Sequence, residues 1–152
     1  TRWRPLCDLS YFWGLGATVH AVVTPEVGGA VPVFYLITFF VSHCGIIIGV
    51  GLLVFGFGYR PDWRGLLRAA LWTQAFASAA FTVNVLSGAN YGYLMAKPGR
   101  ASVLDRLGPW PWYSLRLEAV MVVVFMRLLA PFAVARRLRA TNPRTGAPAR
   151  RS

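Results

Sequence analysis

The sequence predicts an all-α fold, a polytopic bundle of four transmembrane helices, and three observations carry that prediction. Of 152 residues, 56% are hydrophobic and only 14% are charged, against roughly 25% charged in soluble domains. The charges are also confined, since residues 9–25, 27–59 and 69–96 contain no Asp, Glu, Lys or Arg. Finally, the net charge of +11, from 16 basic and 5 acidic residues, sits outside those runs. A pI this basic would otherwise suggest a nucleic-acid partner. A basic groove has no source of charge in these runs, so nucleic acid is excluded and membrane lipids are the expected partners.

The spans follow in chain order. The first covers residues 9–24 and stops at Pro25, which would break a helix's hydrogen-bond ladder. The second, residues 32–57, is long enough to cross a hydrocarbon layer about 30 Å thick. The third, residues 66–87, is Ala-rich and free of charge after Arg68. The fourth, residues 112–135, opens from Gly108-Pro109-Trp110-Pro111-Trp112-Tyr113 and is expected to kink at Pro131. Trp110, Trp112 and Tyr113 stand where an interfacial aromatic belt belongs. Residues 1–135 form the transmembrane domain, and the Arg-, Pro- and Ala-rich residues 136–152 read as a disordered basic tail.

Lys and Arg accumulate on the cytoplasmic side during insertion. Arg2 and Arg4, then Arg60, Arg64 and Arg68, then the arginines of the tail fall on one side; Lys97, Arg100 and Arg106 fall on the other. The expectation is a multi-pass protein of the cell membrane with both ends of this chain cytoplasmic. The chain opens on Thr1 rather than Met, which predicts a fragment or a processed start. Cys7 and Cys44 differ in depth and are expected to be free thiols. No C-x-x-C or H-E-x-x-H spacing and no phosphate-binding glycine loop occurs, so neither metal nor cofactor is expected.

Thr38, Ser42, Gly45 and Gly49 form a stripe of small residues on the second span, the kind of surface that lets helix backbones approach. Ala75, Ser78, Ala79 and Thr82 offer a complementary stripe on the third. Polar side chains at membrane depth are costly and tend to face a cavity or a partner. His20, His43, Asn84 and Glu118 all fall in the outward half, with Asn90 and Tyr91 opening the outer loop. Together they suggest a polar cavity open away from the cytoplasm. Two roles stand for His43, a neutral imidazole bonded to a neighbouring helix or a proton-transfer group. Arg127 lies deep in the fourth span and needs a partner or a long reach to the headgroups.

Tyr11-Phe12-Trp13-Gly14-Leu15, Phe39-Phe40-x-Ser42-His43-x-Gly45-Ile46, Gly88-Ala89-Asn90-Tyr91-x-Tyr93-Leu94 and Gly108-Pro109-Trp110-Pro111-Trp112-Tyr113 together resemble the bacterial YwaF-like integral membrane family. The resemblance runs over about residues 9–135. It implies a larger bundle of six or seven spans, so that N-terminal helices or another membrane chain would complete the one encoded here. It also implies a Pro-Leu-His-Leu-Cys-like motif, which Pro5-Leu6-Cys7-Asp8-Leu9 only echoes, and Gln where His20 stands. The family is similar to the eukaryotic transmembrane protein 164 group, associated with phospholipid acyl transfer through a cysteine nucleophile. On that resemblance His43 is the matching base and the nucleophile lies in the absent helices. The expected function is therefore a membrane-embedded lipid hydrolase or acyltransferase. His43 is its catalytic residue, and His20, Asn84, Asn90, Tyr91 and Glu118 are the substrate-binding set. A small-solute permease and a non-catalytic membrane scaffold are the alternatives.

Overall fold

The computed structural model describes residues 3–23, 32–97 and 103–141. Five α-helices carry it: α1 (Arg4–Gly16), α2 (Thr18–Val23), α3 (Val33–Gly51), α4 (Trp63–Ser87) and α5 (Trp112–Thr141). Leu52–Gly56 prolongs α3 by a π-helical turn, and Tyr91–Tyr93 and Val103–Leu107 are 3-10 turns between α4 and α5. Among the described residues there is no strand.

Three helical stretches, Val33–Gly56, Trp63–Ser87 and Trp112–Thr141, are long and apolar enough to cross a membrane. They match the second, third and fourth predicted spans with shifted ends. Asp62 starts α4 ahead of the predicted residue 66, its carboxylate accepting the Gly65 N–H at 2.7 Å. Gly88, at φ +70°, ends α4 in the left-handed conformation that favours glycine. Helix α5 runs through Pro131 and takes in residues 136–141 of the expected disordered tail, where Ala, Leu and Arg are strong helix formers. Residues 142–152 lie outside the described ones. The first predicted span differs most. Its helix already starts at Arg4, because Pro5 in the first turn forfeits no helical hydrogen bond. It divides at Ala17 into pieces of 13 and 6 residues, neither of which alone has the length of a span. Its expected end at Thr24 and Pro25 lies outside the described residues.

Although α1 is short, it is the centre of the bundle, in contact with α3, α4 and α5. Phe12 is fully buried among Tyr11, Val50, Val54, Leu66, Phe125 and Leu129. On α1 itself, two glycines allow close approach. A Cβ on Gly14 would stand 3.0 Å from Val50 and 3.2 Å from Ile46 of α3, and one on Gly16 3.4 Å from Phe125 of α5. Polar ties complete the packing: Trp13 Nε1 donates to Thr73 Oγ1 of α4 at 2.8 Å, and the Tyr11 hydroxyl donates to Leu128 O of α5 at 2.9 Å.

The outer surface is apolar. Phe34, Phe55, Phe57 and Leu86 are each at least 80% exposed, an arrangement suited to hydrocarbon and costly in water. Arg4, Arg60, Arg136 and Arg139 gather at one end, although distant in sequence. Arg4 Nη2 donates to Arg60 O at 3.1 Å and to Asp62 Oδ2 at 2.8 Å, while the Arg60 guanidinium lies 6.0 Å from the centre of the Phe132 ring on α5. At the opposite end Lys97 stands 3.9 Å from Asp105 and 5.7 Å from the centre of the Tyr113 ring.

Candidate functional site

His43 stands in the middle of α3, half-buried. Its Nδ1 is 2.7 Å from the carbonyl oxygen of Phe39, one turn earlier on the same helix, and its ring lies 4.1 Å from that of Phe39. A carbonyl oxygen only accepts, so Nδ1 carries the proton, and in the neutral form of the ring the lone pair is on Nε2. The backbone thus fixes the tautomer a general base needs. Next to it, the Ser42 hydroxyl donates to Thr38 O at 2.7 Å, and Cys44 is an exposed free thiol.

Asn84, Asn90 and Tyr91 come together at the far end of α4, where they organise the chain. The buried Asn84 side chain donates to Tyr91 O at 3.0 Å and accepts the Tyr91 N–H at 2.7 Å. Asn90 donates to Ala96 O at 2.7 Å and accepts from the backbone N–H groups of Met95 at 3.0 Å and Ala96 at 3.2 Å. The resulting loop presents carbonyls to the start of α5. The hydroxyl of the buried Tyr113 donates to Tyr93 O, and Ser114 Oγ and Trp110 Nε1 each donate to Leu94 O at 3.2 Å. Of the three aromatics expected in an interfacial belt, Trp110 and Trp112 are exposed, whereas Tyr113 is a buried strut. The two most distinctive sequence stretches are therefore the two halves of one docked turn.

Among the described residues, the hydrogen bonds and ring contacts of His43 stay within α3 and include none of the Asn84–Tyr91 group. Glu118 is exposed on α5, as are Arg116 and Arg127; Arg116 reaches back to Leu107 O at 2.8 Å. The side chain of His20, on α2, lies outside the described set. Thr38, Ser42, Gly45 and Gly49 form an exposed face: a Cβ on either glycine would meet nothing within 4 Å, and the Thr38 hydroxyl turns back to Phe34 O at 2.8 Å. Ala75, Ser78, Ala79 and Thr82 are exposed too. The inward face of α4 instead carries Leu66, Ala69, Ala80 and Asn84.

A buried polar cluster surrounds Asp8, which sequence reasoning left without a role. Its carboxylate is fully buried, accepts the Tyr59 hydroxyl at 2.5 Å, and receives Arg68 through Nε at 2.7 Å and Nη2 at 2.6 Å. Burial, then the hydrogen bond to Asp8 and the charge of Asp8, hold the Tyr59 phenol far above its ordinary pKa despite the nearby Arg4. The phenol therefore stays a donor. Helix α4 passes so close that a Cβ on Gly65 would lie 2.5 Å from Asp8 Oδ1. A lone Asp ahead of an apolar run gave one signal, the need for a cation. Arg68 sits 60 residues away in sequence, where it counts equally well as a topology charge.

No curated protein and no solved structure matches the chain. The TMEM164 family matches residues 1–129, a stretch that takes in the Asp8 cluster, His43, the docked turn and most of α5. The chain thus belongs to the TMEM164 family, a family of membrane proteins.

Proposed function

We propose that this chain is the helical membrane unit of a lipid acyltransferase or hydrolase in which His43 is the general base. The observation that carries the reading is the Nδ1 contact with Phe39 O, which leaves Nε2 free to take a proton. A cysteine thiol supplied by a further membrane helix loses its proton to Nε2, and the thiolate attacks a phospholipid ester carbonyl. The thioester forms as the lysophospholipid oxygen leaves and takes the proton back from Nε2. Acceptor or water then repeats the cycle in reverse. Within the family, the motifs around His43, Asn90 and Trp110 support placing the chain with the bacterial YwaF-like members.

The same proposal takes α1 and α2 as a fourth span. Ala17, which joins them, is itself in helical conformation, and the combined path of about 30 Å at 1.5 Å per residue matches the hydrocarbon thickness. The arginine-rich end faces the cytoplasm of the cell membrane. Arg127, exposed midway along α5 without an acidic partner among the described residues, supports contact with another membrane helix.

The test is incubation of purified full-length protein, including the helix that supplies the thiol, with phospholipids. Loss of a positioned base lowers rate by about 10²–10⁴-fold, so His43→Ala should abolish the acyl-transfer or lyso products by that measure. Identical product profiles overturn the proposal. A second reading, a membrane scaffold, draws on the docked turn, where Asn84 and Asn90 are spent on backbone groups. In that case His43→Gln changes thermal stability and leaves lipid composition untouched.

A further inference from the structure

At the arginine-rich end, a groove of about 370 Å³ opens between the π-helical turn after α3 and the last turns of α5. It is lined by the apolar side chains of Val54, Phe55 and Phe132 together with Arg60, Arg136 and Arg139. We propose that it binds an anionic phospholipid, with the headgroup phosphate at the three guanidinium groups and the acyl chains descending over Phe55 and Phe132.

Three features favour that occupant. First, the charge is unneutralised. The acids near this end are spent elsewhere, Asp8 on Arg68 and Asp62 on Arg4, and among the described residues no carboxylate pairs with Arg60, Arg136 or Arg139. Second, Arg60 is preorganised. Its Nη1 donates to Val54 O at 3.0 Å and to Tyr59 O at 3.2 Å, and its plane lies beside the Phe132 ring. Those bonds occupy the carbonyls of Val54 and Tyr59, which would otherwise repel an anion, and leave the rest of the fork for phosphate. Third, the groove straddles the level at which an apolar span gives way to charge. Phe55 is 88% exposed immediately below the arginines, so a ligand must be polar at one end and hydrocarbon at the other. Basic pockets between helices at a membrane face recognise anionic headgroups in this way. The groove is distinct from the His43 site, since Val54 lies about 16 Å along the helix from it at 1.5 Å per residue.

The experiment is native mass spectrometry of the full chain, purified and then offered phosphatidylcholine and phosphatidylglycerol together. Phosphatidylglycerol should be retained in preference. Arg136→Gln should cut that retention about fivefold, the usual effect of one basic residue at an anionic surface. Arg137→Gln removes the same charge one residue along, about 100° around the helix and off the groove, and should leave retention unchanged. Equal losses in the two variants, retention without headgroup preference, or displacement by inorganic phosphate alone at matching concentration would each overturn the assignment. Both arginines are exposed, so elution as the wild-type species checks the fold.

Discussion

Asp8 shows how a single side chain can tie down this bundle. Its burial is tolerable because one phenol and one guanidinium satisfy both oxygens; removing the carboxylate strands the charge of Arg68 in a partly buried position. Breaking such a pair costs about 3–5 kcal/mol. Asp8→Ala should therefore lower the melting temperature of the detergent-solubilised protein sharply, and an unchanged melt would show that Arg68 finds another acceptor. His43 and Asp8 also mark what single residues disclose in a sequence. The depth of His43 was legible from its place in an uncharged run. Its tautomer was not, because Phe39 O belongs to the backbone and every helix has such a carbonyl.

At the level of elements, α4, the loop after it and α5 form one unit held by Asn84 and Tyr113. Asn84→Ala deprives the Tyr91 N–H and C=O of partners, a loss of about 1–3 kcal/mol for each group left buried and unsatisfied. Hydrogen exchange should accelerate across residues 91–97 while α3 keeps its protection; unchanged exchange in the loop would mean the latch is dispensable. Helix positions were largely readable from apolar runs, and ends shifted where a cap or an N-terminal proline decided the matter, as at Asp62 and Pro5. Which small residues pack was not readable. Gly45 and Gly49 have the spacing of an interface yet face outward, whereas Gly14 and Gly16 carry the close contacts. A glycine pair shows that a helix permits approach; the neighbour's position decides whether approach occurs.

For the whole molecule, the described residues combine an apolar core, into which Asp8, Asn84 and Thr18 are also buried, with an outer surface that is apolar as well, rich in exposed phenylalanines and leucines. Among the described residues, Arg4, Arg60, Arg136 and Arg139, from three distant segments, meet at one end. In a background lacking Cys7 and Cys44, Arg64→Cys and Arg137→Cys should react with an impermeant maleimide only from the cytoplasmic side, and Ala96→Cys only from the opposite side. Labelling of Arg64→Cys and Arg137→Cys on different sides would refute the orientation. The central place of α1 carries a temporal consequence as well. Translation delivers Asp8 to the ribosomal exit 60 residues before Arg68, so α1 emerges before the guanidinium that will satisfy its carboxyl group. Whatever shelters the nascent chain must accommodate that unsatisfied carboxyl group until α4 emerges, which makes the arrival of α4 the moment at which the Asp8 cluster can first form.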